Sequence, residues 1–118
     1  MSDETGLGSP AEFFAALDHL AQTIDERAGG DTGESYTAKL LAKGTGKCAK
    51  KFGEEAVELA LALVSESDEA VASEAGDVLY HLMVALRARG ISLDEVGAAL
   101  ATRQAMSGLQ EKASRSES

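Results

Sequence analysis

Glu55 and Glu58 lie in GEEAVE, and Glu74 and Asp77 lie in EAGDVLYH. Residues three apart share one face of an α-helix, so each pair aims two carboxylates in one direction. Two such helices packed antiparallel bring four carboxylates toward one point. Unpaired carboxylates in one site repel each other. A hard divalent cation with oxygen ligands, such as Mg²⁺, relieves that repulsion. A cation held this way also grips a polyphosphate that an acidic protein would otherwise repel. Glu54 stands beside the first pair, and Lys47, Lys50 and Lys51 lie one turn before it. Lysines there offer charge to a phosphate next to the metal.

Each of these features has a plainer reading. Acidic pairs arise readily on the solvated helices of an acidic protein, and the lysines can form ordinary helix charge pairs, for example Lys51 with Glu55 or Glu58. Against this, Glu58 leads into LALALV and Glu74 and Asp77 lead into VLYHLMVAL, where a free polar face is least expected. Ser35, Tyr36 and Thr37 cap a short helix or donate to a sugar or phosphate, and residue chemistry alone leaves both open. His81 follows Asp77 by four residues. It reads as a buried histidine bonded to Asp77 or to a backbone carbonyl, a role that matches a partner orienting a metal-binding aspartate. Cys48 has no His or Cys at ligand spacing and reads as a small packing residue.

Five helices must position these groups. Ser9-Pro10-Ala11-Glu12 is a helix start with a capping box. The helix that follows runs to about Arg27, with Phe13, Phe14, Leu17, Leu20, Ala21 and Ile24 as its apolar stripe. Gly29-Gly30 ends it. Residues 31–46 hold a loop, a short helical stretch and the break Gly44-Thr45-Gly46, with Thr45 placed to cap the third helix over about 46–64. Gly53 inside that helix costs roughly 1 kcal/mol against Ala, which points to close packing there. The fourth helix covers about 68–89, and its stretch 78–86 is apolar on almost every side. A helix apolar all round is buried all round, which implies a subunit interface. Ser92 and Glu95 form a capping box for a fifth helix that ends near Met106. A single domain over 9–106 is expected, with disordered ends at 1–8 and 107–118.

The 118 residues suit one domain. With 4% aromatic residues and a single proline, the core is Ala, Leu and Val and the fold class all-α. The net charge of −9 disfavours nucleic acid and anionic membranes, which call for a basic surface. One cysteine forms no internal disulfide, the polar start MSDETGLGSP is no signal peptide, and the longest apolar run is too short to span a bilayer. A soluble cytoplasmic protein is expected.

At SYTAKLLAKGTGKCAKKFGEEAVE followed by EAGDVLYHLMVAL, the chain resembles the phosphoribosyl-ATP pyrophosphatases of histidine biosynthesis, over roughly residues 12–106. The acidic pattern alone is similar to the wider all-α NTP pyrophosphatases of the MazG and dimeric dUTPase type. The resemblance implies a dimeric four- to five-helix bundle, a Mg²⁺ site with Mn²⁺ as a substitute, and hydrolysis of phosphoribosyl-ATP to phosphoribosyl-AMP and pyrophosphate. It implies Glu55, Glu58, Glu74 and Asp77 as metal ligands, with Glu54 a further ligand or the group that activates water. Lys50 and Lys51, with Ser35, Tyr36 and Thr37, are implied to contact substrate. Gly76 departs from the family, where Ala is more usual. Two other readings compete: a housekeeping NTP pyrophosphatase, and a non-catalytic helical dimerisation module with a solvated acidic face.

Overall fold

The computed structural model describes residues 8–106 together with residues 112 and 115. The expected disordered ends, 1–8 and 107–118, fall almost wholly outside that set. Among the described residues the regular structure is helical: α1 Pro10–Arg27, α2 Tyr36–Ala42, α3 Thr45–Ser65, α4 Asp68–Arg89 and α5 Leu93–Ala105.

Local chemistry accounts for most of the helix ends. Ser9 and Glu12 form the capping box of α1, and Ser92 and Glu95 that of α5. Each box satisfies two amide donors that a helix start leaves without partners. Ser35 caps α2 and Ser67 caps α4, each accepting from the amide three residues on. Gly90, at φ 86°, closes α4 in the left-handed conformation that glycine adopts without a Cβ clash. The start of α3 differs from expectation. Thr45 is its first residue and not its cap, and the Gly44 before it, at φ 93°, supplies no side-chain cap. Thr45 Oγ1 instead donates to Ala88 O at 3.2 Å.

That bond ties the start of α3 to the end of α4. Only Glu66 and Ser67 separate the two helices, so they pack as a long antiparallel hairpin. α2 and the C-terminal half of α1 lean on it. Their shared core is Ile24, Leu40, Cys48, Met83 and Val84, with Leu17, Leu20, Ala21 and Tyr80 against it. Cys48 is a packing residue, as expected. It is 1% exposed, its Sγ donates to Leu40 O at 3.3 Å, and burial pushes its thiol pKa up. Phe13 and Phe14 stand exposed at the head of α1, so the stripe buries only from Leu17 onward.

None of residues 78–86 is exposed within the single chain, because α1, α2 and α3 surround this part of α4. The surplus apolar surface lies elsewhere: Val57, Leu61, Leu63 and Val64 of α3 are each 59% exposed or more. Gly53 is a second correction. It is exposed, and a Cβ there would meet nothing within 4 Å, so no packing within this chain requires it. Gly53→Ala is therefore expected to raise stability by about 1 kcal/mol through helix propensity alone. Urea unfolding measures this, and a loss of stability would mean that a second chain closes on this face.

Candidate active site

The antiparallel hairpin brings the acidic pairs together. Glu55 and Glu58 precede the α3–α4 turn by about three and two helical turns, and Glu74 follows it by about two. One carboxylate oxygen from each of Glu55, Glu58 and Glu74 lies within 4.8 Å of the other two. Glu55 is buried at 8% exposure, Glu74 is half-buried and Glu58 is exposed. The group is thus a partly sunken acidic site with one open side.

Glu74 shows the strain of that arrangement. Its Oε1 is sealed from solvent and has no hydrogen-bond partner. A buried polar atom without a partner calls for an explanation, and an absent ion is a standard one. Burial first, and then the charges of Glu58, Asp77 and Glu55, push its carboxyl above the usual range. Three convergent carboxylates with an orphaned oxygen fit a hard divalent cation, which also retains water or substrate oxygens on the open side.

Two expected members stand apart from this triplet. Asp77 is exposed and contributes no oxygen to the close group, although its charge reaches both Glu74 and His81. Glu54 is exposed, lies outside the close triplet and lines a lysine-rich cavity of about 290 Å³ next to it. Lys50 and Lys51 line that cavity with Lys47 and Tyr36. Lys51 belongs to both places. Its Nζ lies 3.4 Å from Glu55 Oε2, and its pKa is raised, first by that hydrogen bond and then by Tyr36. Its ammonium therefore sits at the edge of the acidic triplet.

The SYT segment divides by role. Ser35 is occupied as a helix cap, its Oγ accepting from Ala38 N at 3.1 Å. Thr37 is buried and hydrogen-bonded to the Tyr80 hydroxyl. Of the two open readings, Ser35 takes the capping one, and Thr37 is engaged within the core. The Tyr36 ring is 54% exposed, lines the lysine cavity and stacks on Tyr80 with centroids 6.4 Å apart. His81 is also corrected. It is 6% exposed, and its Nδ1 has no partner. The expected bond to Asp77 or to a backbone carbonyl is not formed among the described residues. Its ring packs edge-on against Tyr80 at 4.9 Å and Tyr36 at 6.2 Å, and burial lowers its pKa, favouring the neutral ring.

Residue reasoning missed three neighbours. Tyr80 sits inside an apolar run and reads as core, and only its hydroxyl betrays the link to Thr37. Lys39 lies on α2 and Lys43 is its C-cap, yet both line the same cavity as the α3 lysines. Their spacing of four residues, continued by Lys47, was the available signal.

Comparison with known proteins follows this geometry. The family described as phosphoribosyl-ATP pyrophosphohydrolase matches residues 17–104, which include every acidic and basic residue of the site. The phosphoribosyl-ATP pyrophosphatase 1 of Rhodopseudomonas palustris is 56% identical over 99 residues, covering 84% of this chain and 92% of its own. That of Bradyrhizobium diazoefficiens is 57% identical over 98 residues, 83% and 92% of the two chains. The phosphoribosyl-ATP pyrophosphatase of Azorhizobium caulinodans is 55% identical over 108 residues, 92% and 99% of the two.

Proposed function

Since this chain belongs to the phosphoribosyl-ATP pyrophosphohydrolase family, we propose that it hydrolyses phosphoribosyl-ATP to phosphoribosyl-AMP and pyrophosphate with Mg²⁺, the second step of L-histidine biosynthesis. The observation that carries the reading within the structure is the convergence of Glu55, Glu58 and Glu74 around an orphaned carboxylate oxygen. Those three side chains hold the cation, with Asp77 one turn from Glu74 as a fourth ligand and Mn²⁺ as a possible substitute. When bound, the cation polarises phosphoryl oxygens and neutralises charge on the leaving pyrophosphate. Lys51 then exchanges Glu55 for a substrate phosphate, and with Lys50 offsets negative charge as the bond breaks. Glu54, exposed beside the triplet, orients or deprotonates the attacking water. Tyr36 offers an aromatic face to the nucleotide. His81 packs edge-on against the Tyr36 and Tyr80 rings and steadies their stack.

The working form is a homodimer in the cytoplasm. Val57, Leu61 and Val64 on α3 share an exposed apolar face of the kind that marks an interaction surface, with the exposed Leu63 to one side. No described helix is long and apolar enough to cross a membrane. The net charge of −9 opposes nucleic-acid binding.

The test is pyrophosphate release from phosphoribosyl-ATP with Mg²⁺ and again with EDTA. Release with Mg²⁺, phosphoribosyl-AMP as co-product, and loss of both in EDTA are expected. No release from a folded protein would overturn the assignment, and turnover of common nucleoside triphosphates instead would indicate a housekeeping pyrophosphatase.

A further inference from the structure

The protein has 11 basic residues against 20 acidic ones, yet five lysines between residues 39 and 51 line one cavity, with Glu54 its single acidic wall. Lys39 comes from α2 and Lys43 from its C-cap, and Lys47, Lys50 and Lys51 come from α3. Of these five lysines only Lys51 has an ion-pair partner among the described residues. Like charges gathered without counter-ions repel. The first turn of α3 worsens this, since it carries no acid and has Lys47 near the positive end of the helix dipole. An anion in the cavity relieves both. The volume of about 290 Å³ lies at or below the ~300–1,000 Å³ of pockets that enclose a whole drug-sized ligand, so the cavity takes one end of a substrate. Ammonium groups recognise phosphate as point charges and need no metal to do so.

Phosphoribosyl-ATP has two anionic ends on opposite sides of its purine: the triphosphate, and the phosphate monoester of the added ribosyl arm. The proposed function places the triphosphate at the carboxylates. We infer that Lys39, Lys43 and Lys47 hold the phosphate monoester of the ribosyl arm without a metal ion, and so select phosphoribosylated nucleotide over free ATP. This rests on the proposed function for the identity of the ligand, and on the cavity alone for its chemistry. The two anion sites share Lys51, which lines the cavity and pairs with Glu55, so one ligand can engage both. Lys39 and Lys43 bind the substrate's far end and touch no reacting atom.

Ribose 5-phosphate is the probe, titrated into the full chain in EDTA and followed by calorimetry. It is expected to bind without any divalent cation. The Lys39→Gln/Lys43→Gln double variant should bind it roughly tenfold or more weakly, the effect of losing charge-assisted hydrogen bonds. Glu58→Gln should leave this binding unchanged, and inorganic pyrophosphate with Mg²⁺ should bind the double variant as it binds the parent protein. In turnover, KM for phosphoribosyl-ATP should rise by a similar factor with kcat within about twofold, the mark of binding lost equally from ground and transition states. Binding that requires a divalent cation, or that survives in the helical double variant, overturns the inference. A parent protein that turns over nothing would sink the assigned reaction, while the EDTA titration would still decide the phosphate site.

Discussion

Glu55→Gln is expected to lower kcat/KM for pyrophosphate release by on the order of 10³, with the far-UV helical signal unchanged. The substitution keeps the shape and removes one charge. Glu55 is the buried member of the triplet, and its oxygens face Glu58 and Glu74 on one side and Lys51 on the other. A ligand that helps to hold the cation contributes several kcal/mol of charge stabilisation in the transition state, and about 4 kcal/mol corresponds to that factor. The fold does not need the charge, because Glu55 sits among like charges that repel it. Asp77→Asn should cost nearly as much, since Asp77 lies one turn from Glu74 and its field already acts there. A loss below about tenfold would leave Asp77 a bystander, in keeping with its exposed position. Wild-type turnover in Glu55→Gln, or an unfolded protein, would remove the triplet from the chemistry.

What the sequence makes legible here is what local chemistry decides. The boxes Ser9–Glu12 and Ser92–Glu95 form because their partners are three residues apart, so no tertiary fact is needed. Glu55, Glu58 and Glu74 meet for nearly as local a reason: helical periodicity on either side of a two-residue turn. The errors occur where a distant backbone competes. Thr45 looks like a cap but donates across the hairpin to Ala88. Thr37, which residue chemistry leaves open between helix cap and ligand donor, bonds to Tyr80, 43 residues away. His81 shows the right spacing for Asp77, yet the stacked tyrosines hold its ring. Lys39 and Lys43 join Lys47, Lys50 and Lys51 only because α2 folds back beside α3. The apolar stretch of α4 packs against three helices of its own chain, whereas α3 leaves Val57, Leu61, Leu63 and Val64 exposed.

Removal of divalent cations should make the protein less stable, with a dependence on pH that identifies Glu74 as the cause. Its carboxyl pKa is raised in the folded state, by burial first and then by Glu58, Asp77 and Glu55. The folded protein therefore holds a proton that the unfolded chain has released, between the ordinary glutamate pKa and the raised one. Stability falls with rising pH wherever the native state binds more protons, so this metal-free contribution falls as pH rises through that window. The penalty is complete above the raised pKa. Cation binding works in the opposite sense, because it needs deprotonated ligands. The increment from Mg²⁺ should grow across the same window. At 100 times its dissociation constant, the cation adds about 3 kcal/mol, or roughly 10 °C in Tm for a domain of this size. Thermal unfolding of wild type and Glu74→Gln, with Mg²⁺ or EDTA from pH 4 to pH 8, reads all of this. Glu74→Gln should melt higher than wild type in EDTA at neutral pH, because its amide carries no charge to repel, and it should gain little from Mg²⁺. A wild-type Tm indifferent to Mg²⁺ at neutral pH would mean that the three carboxylates hold no cation, and the non-catalytic acidic face would then be the better account of them.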